Sequence, residues 1–90
     1  MAYEGRPGGD LVARGLADLE QGVESIPAIL VSIGAPRLRR IGIAVPSPLA
    51  DPERRLYARL SEEGEDAAHS RFNALVRRLV SFERAAECAR

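Results

Sequence analysis

The chain has 90 residues, with 13 basic and 13 acidic side chains and no net charge. This length suits one domain with a modest core and is too short for a deep substrate cleft on a separate scaffold. The balanced charge excludes nucleic-acid binding by bulk charge alone and leaves only a local basic patch. All the basic residues are arginines, whose forked guanidinium groups can hold a carboxylate at two points.

The single cysteine suits a reducing compartment, and the hydropathy of the chain disfavours secretion and membrane insertion. Cys88 is the only cysteine, so an internal disulfide is excluded. The first residues lack the basic start and apolar run of a secretion signal, and the longest apolar stretch, residues 26 to 33, is too short to cross a bilayer. We therefore expect a cytoplasmic protein.

Residues 1 to 9 contain three glycines and a proline but no periodic apolar pattern, which predicts a flexible leader. Residues 10 to 90 are predicted to form a single helical domain. Its first helix is predicted over about residues 11 to 21, with Asp10 as the N-terminal cap. Gly15 lies at the edge of the apolar face, where the missing side chain lets another helix come close.

A short apolar helix is predicted to follow Ser25, which is a good N-terminal cap and precedes a proline in the first turn. Gly34 is predicted to end this helix in the left-handed conformation, and Pro36 to open a short basic helix that stops before Gly42. The proline-rich residues 42 to 50 are predicted to be an extended connector.

Asp51 and Pro52 predict the start of a helix over residues 52 to 63, with the carboxylate as cap. After Gly64, a last helix is predicted from about residue 65 to near the C terminus. Its apolar residues recur at alternating steps of four and three, and they are Ala68, Phe72, Leu75, Leu79, Phe82, Ala86 and Ala89. Val76 and Val80 widen this face to roughly half of the helix circumference, as in a helix packed against several others. The sequence therefore predicts an all-α fold, a small four-helix bundle-like domain with a long C-terminal amphipathic helix.

Glu83 falls inside the apolar face of the last helix, where a carboxylate needs a partner. Two interpretations are open. A buried acid would fix the packing or receive an arginine from a partner chain, whereas a glutamate at the edge of the face would reach water or pair with Arg59 or Arg14. The usual preference of glutamate for solvent favours the second interpretation.

The apolar face of the last helix is broad for a chain with only four aromatic residues to fill its core. Association with another protein or a second copy would complete its burial. The predicted interface residues are Phe72, Leu75, Leu79, Phe82, Glu83 and Tyr57. We therefore predict a non-enzymatic interaction or accessory module of a cytoplasmic bacterial protein system, acting as a homodimer or on a protein partner.

Residues 26 to 42 also have the layout of a helix-turn-helix, with two helices joined at Gly34 and arginines in the second. The predicted second helix is shorter than the roughly three turns that a recognition helix needs in the major groove. Arg37, Arg39 and Arg40 would therefore contact phosphates more readily than base edges. A DNA-binding regulator that uses these arginines is the alternative function.

Enzymatic chemistry has almost no support, since the sequence has no nucleophile motif and no glycine-rich phosphate loop. His69 is the only histidine, and Glu65 lies four residues before it on the same helical face, as two metal ligands could. Two ligands do not make a site, so an exposed histidine that pairs with an acid or with Asn73 one turn later is favoured. A metal-dependent role around His69 is the weakest alternative, and no cofactor or catalytic residue is predicted.

The side of the last helix opposite its apolar face is basic, with Arg77, Arg78 and Arg84 on or near it. An acidic cluster precedes these arginines and consists of Glu62, Glu63, Glu65 and Asp66. We expect the two groups to pair at the surface.

Overall fold

The computed structural model describes residues 5 to 88 of the chain. Between Gly5 and Cys88 the chain forms α1 (Gly9–Glu20), α2 (Ile26–Ile33), α3 (Ala35–Arg40), α4 (Pro52–Glu63) and α5 (Glu65–Cys88), and this range contains no strand. The predicted all-α fold with a long C-terminal helix is confirmed. Residues 1 to 4 of the predicted leader lie outside the described residues, whereas Gly9 begins α1 and is buried.

The short helix α2 lies at the centre of the fold and packs against α1, α4 and α5. Ala28, Ile29, Leu30 and Val31 are each 0% exposed, because neighbouring helices cover α2 on several sides. Ser32 is the polar exception. Its Oγ donates to the Ala28 carbonyl oxygen at 2.9 Å and accepts from the Leu49 amide at 3.0 Å, so it fastens the connector to α2.

Helices α1 and α2 approach each other closely at Gly15, as predicted. A Cβ atom at this position would collide with the Pro27 carbonyl group and lie 2.8 Å from Cγ1 of Val31. The missing side chain therefore sets the distance between the two helices. The predicted cap at Ser25 is also confirmed, since its Oγ accepts from the Ala28 amide at 3.2 Å.

The two aspartate caps predicted from sequence are wrong. The cap position of α1 is occupied by Gly8, and Asp10 lies in the first turn with its Oδ1 3.3 Å from Nη2 of Arg78. Asp51 does occupy the cap position of α4, but its left-handed backbone (φ 47°) replaces the extended conformation of a capping residue. Its carboxylate consequently makes no capping hydrogen bond within the described chain.

The predicted left-handed conformation of Gly34 is also wrong, because its φ is −85°. Its amide still donates to the Leu30 carbonyl at 3.3 Å, while its own carbonyl accepts from the Leu38 amide at 2.9 Å. The chain thus passes from α2 into α3 through one shared residue, without the reversal that a left-handed glycine would produce. The α2–α3 junction is therefore a bend between two helices.

The connector after α3 is irregular, as predicted, and contributes to the core through Ile43 and Val45, which are 8% and 5% exposed. Arg39 on α3 binds this connector, because its Nη2 donates to the Val45 carbonyl oxygen at 3.0 Å. The last helix, α5, has 24 residues and spans about 36 Å at 1.5 Å per residue. None of the helices between residues 5 and 88 combines the length and apolarity needed to cross a membrane.

Candidate protein-interaction surface

Three of the six predicted interface residues lie inside the chain's own core. Leu79, Phe82 and Glu83 are 3%, 0% and 3% exposed, so they offer almost no surface to a partner. This corrects the prediction for these three residues. The physical reason is that an apolar helix face looks the same in sequence whether its own chain or another covers it.

The other three predicted residues reach the surface. Tyr57 on α4 is 42% exposed, and Phe72 and Leu75 on α5 are half-buried against the core. The rings of Tyr57 and Phe72 lie in contact, with centroids 5.9 Å apart and planes inclined by 51°. This tilted pair holds Tyr57 against α5 and leaves one side of its ring open to solvent.

A half-buried apolar row continues from Phe72 along α5. Phe72, Val76 and Val80 are spaced four residues apart, so their side chains follow one another along one side of the helix. Each remains partly exposed. We call these three residues the α5 row.

The C-terminal half of the α5 row borders a groove between α5 and the α2–α3 junction. We call it the Gly34 groove, and its lining consists of Ile33, Gly34, Pro36, Arg37, Arg40, Val76, Leu79, Val80 and Glu83. A Cβ atom on Gly34 would lie 2.9 Å from Oε2 of Glu83 and 3.0 Å from a methyl group of Leu79. The glycine thus lets the junction approach the floor of the groove.

Two of the lining residues, Arg37 and Glu83, belong to an ion-pair cluster. Nη1 of Arg37 lies 3.4 Å from Oε1 of Glu83, and Nε of Arg37 donates to Oε1 of Glu87 at 2.7 Å. Nη2 of Arg37 also pairs with Glu87. Glu83 is therefore a buried acid whose arginine comes from its own chain.

The partners that the sequence suggested for Glu83 are wrong. Arg14 lies 3.4 Å from Asp18 on its own helix, and Arg59 donates to the Glu24 carbonyl oxygen at 2.6 Å. Arg37 is 46 residues away from Glu83, and only the packing of α3 on α5 brings the two together.

Burial raises the pKa of the Glu83 carboxyl, because a low-polarity environment disfavours its ionised form. The positive charge of Arg37 opposes this rise, Glu87 adds to it, and Arg40 lowers the pKa more weakly. The hydrogen bond to Glu87 in turn raises the pKa of Arg37 above its ordinary value. The arrangement is a cation shared by two acids, and it attaches α3 to α5.

The three arginines predicted to contact nucleic acid have different surroundings. Arg37 binds Glu83 and Glu87, Arg39 binds the Val45 carbonyl, and Arg40 lines the groove. Their helix, α3, has six residues and is about 9 Å long, which is short for a recognition helix in the major groove. Nucleic-acid contact through these arginines stays a prediction that this geometry does not favour.

His69 is exposed, and its Nε2 lies 3.2 Å from Nδ2 of Asn73, which is one of the two kinds of partner predicted for it. Within residues 5 to 88, no group of three histidine, cysteine, aspartate or glutamate side chains is placed to hold a metal ion.

The prediction that the acidic cluster pairs with Arg77, Arg78 and Arg84 is wrong. Glu63 pairs with Arg71 at 2.7 Å, whereas Arg77 and Arg84 are exposed and form no ion pair with any residue between Gly5 and Cys88. The acidic cluster lies around the turn before α5. Asp66, its nearest member, is about 16 Å along the helix from Arg77, which is beyond side-chain reach.

Comparison of the chain with family models, curated proteins and solved structures finds no match. Function is therefore argued from the geometry of this surface. Sequence reasoning missed Ile33, Gly34 and Pro36 as parts of the surface. Gly34 and Pro36 indicated the end of one helix and the start of the next, and no local signal indicated that α5 would pack beside them.

Proposed function

We propose that the chain is a non-enzymatic protein-interaction module that binds a protein partner, or a second copy of itself, along the α5 row. The observation that carries this proposal is the row itself: Phe72, Val76 and Val80 form a continuous apolar line that their own chain covers only in part. Tyr57 extends it onto α4 through its contact with Phe72. A contiguous apolar strip that stays partly exposed between polar residues is a candidate interaction site.

The composition of the strip supports the same function. A tyrosine that is held by a neighbouring ring and open on its other side loses little conformational entropy on binding, and such residues are enriched in interface hot spots. Glu83 and Glu87 beside the groove both bind Arg37, so these ionisable groups serve the structure of the chain. The same proposal includes that the module is cytoplasmic and bacterial and that it acts as an accessory of a larger protein system.

The proposal is tested by sedimentation velocity at micromolar concentration, together with affinity capture from the native cell. Tyr57→Glu places a charge on the strip at a position that tolerates exposure, and Ser81→Glu places the same charge on an exposed position elsewhere on α5. We expect one specific associate, either the chain itself or another protein, to be retained by wild type and Ser81→Glu and lost by Tyr57→Glu. A monomer that captures nothing, or equal capture by all three proteins, overturns the proposal.

A further inference from the structure

We propose that the Gly34 groove binds an acidic amphipathic helix of the partner protein. This inference rests on the proposed function and specifies the chemistry of the segment that would cover the α5 row. It depends on the apolar lining of the groove, on its position between two helical walls, and on the charges along its edge.

The lining of the groove suits the apolar side chains of a helix. One wall is the α2–α3 junction with Ile33 and Pro36, and the other is α5 with Val76 and Val80. A trough between two helices accepts the side-chain ridge of a third, which inserts apolar residues spaced by three and four positions. An apolar lining is complementary to apolar side chains. The charged backbone of a nucleic-acid duplex has no such groups to insert.

The α5 edge of the groove is basic. The α3 side is lined by Arg37 and Arg40, and Arg37 is already bonded to Glu83 and Glu87. On the α5 side, Arg77 and Arg84 lie three residues before and four residues after Val80, so they are its neighbours on the helix surface. Both are exposed and form no ion pair within residues 5 to 88.

These two arginines determine the charge that a partner must carry. A helix lying on Val76 and Val80 would bring its flanking residues beside Arg77 and Arg84. Carboxylates in those positions would form forked pairs with the guanidinium groups, whereas lysines or arginines would meet like charge. The combination of apolar lining and basic edge therefore selects an acidic amphipathic helix.

The test is fluorescence anisotropy with three synthetic peptides that carry the same label. The first is an amphipathic helix with a leucine face and glutamate flanks, the second replaces every glutamate with lysine, and the third scrambles the first so that its leucine face is lost. We expect the first peptide to bind the wild-type protein at least about tenfold more tightly than either of the others, a difference of about 1.4 kcal/mol.

Three variants locate the binding site, and circular dichroism checks that each is folded. Val80→Asp places a charge in the groove, and Arg84→Glu reverses a charge at its edge. Arg54→Glu makes the same reversal at an exposed position on α4. We expect the first two variants to weaken binding of the acidic peptide by about tenfold and the third to leave it unchanged.

Three results would overturn the inference: the three peptides bind alike, binding survives both groove variants, or labelled duplex DNA binds more tightly than the acidic peptide. Such a failure is separable from failure of the proposed function. If Tyr57→Glu still abolishes association while the peptides show no charge preference, only the acidic-helix inference is lost. If no associate exists, the interaction function is lost whatever the peptides do.

Discussion

The guanidinium group of Arg37 lies 3.4 Å from the buried carboxylate of Glu83, and it also binds Glu87 one turn further along α5. This contact joins a six-residue helix to the long C-terminal helix across 46 residues of sequence. Because Glu83 is 3% exposed, its carboxylate depends on Arg37 for a counter-charge. The cluster therefore attaches α3 to α5 beside the Gly34 groove.

Arg37→Ala should lower the free energy of unfolding, because it leaves Glu83 buried without a counter-charge. Glu83→Gln in the Arg37→Ala background should recover part of the loss, since a neutral amide needs no cation. Urea unfolding of the two single variants and the double variant gives the coupling energy. Arg55→Ala is the matched control, because Arg55 pairs with Glu24 at an exposed site and should cost no more than about 1 kcal/mol. Additive effects of the two substitutions would contradict a direct pairing.

Stability should depend on pH through Glu83. Burial raises the pKa of its carboxyl in the folded state, so the folded protein retains a proton that the unfolded chain has already released. The contribution of Glu83 is therefore fully present below its ordinary pKa and is lost as the pH rises through the raised folded-state pKa. The charges of Arg37, Arg40 and Glu87 act on the same carboxyl. They determine how far its folded-state pKa lies above the ordinary value, and so the pH range over which this stability is lost.

The measurement is the free energy of unfolding of wild type and Glu83→Gln across mildly acidic to neutral pH. Other carboxyl groups contribute equally to both proteins, so the difference between the two curves isolates Glu83. We expect wild type to lose stability relative to Glu83→Gln as the pH rises. A parallel course of the two curves, or a difference of the opposite sign, would show that burial does not control this group.

Two glycines should differ in their tolerance of alanine. At Gly15 the new methyl group meets the backbone carbonyl of Pro27, which can move only if α1 and α2 separate, so we expect a loss of about 1 to 3 kcal/mol. At Gly34 it meets the ends of the Glu83 and Leu79 side chains, which can rotate away. Thermal unfolding of both variants should show the larger loss for Gly15→Ala. The reverse order would contradict the close approach of α1 and α2.

Leu79 and Phe82 should behave as core residues. Leu79→Ala is expected to lower the free energy of unfolding by about 2 to 5 kcal/mol and Phe82→Ala by about 3 to 5 kcal/mol. Val80→Ala removes a half-buried side chain and should cost less than either. Urea unfolding measures the loss of stability and light scattering measures association, so together they distinguish a core residue from an interface residue. A variant of Leu79 that keeps its stability and changes only its association would return this residue to the interface.

Nucleic-acid binding should be absent at low salt. Arg37 and Arg39 are bonded within the chain, and α3 is too short to present a row of side chains to the major groove. An electrophoretic shift of duplex DNA by wild type is compared with that by a variant in which Arg37, Arg39 and Arg40 are alanine. Salt-sensitive binding that disappears in the variant would establish the DNA-binding alternative.

The helices could be predicted from sequence where their signals are local. Pro52 and Gly64 bracket α4, and the predicted span of 52 to 63 agrees with the observed Pro52–Glu63. The repeat of α5 and the close approach at Gly15 were likewise visible in neighbouring residues. Ser25 was identifiable because a capping residue acts only on the turn that follows it.

The candidate site could be predicted only in part, because its contacts are between distant residues. Nothing near Glu83 in the sequence indicates Arg37, and nothing near Gly34 indicates that Leu79 will pack against it. The periodicity of α5 identified an apolar face but not the division of that face between core and surface. Phe82 became core and Val80 stayed half-exposed because of where α2 and its junction with α3 lie.

The central claim is that a protein partner or a second copy of the chain covers the α5 row, and site-specific photocrosslinking tests it most directly. A photoreactive phenylalanine analogue is placed at Val80, within the row, and in a matched protein at Ser81, which is exposed outside it. Circular dichroism confirms that both proteins are folded before irradiation in the native cell. We expect a discrete adduct, with the chain itself or with one other protein, from position 80 and none from position 81. Equal adducts from both positions, or none from position 80, would contradict the claim.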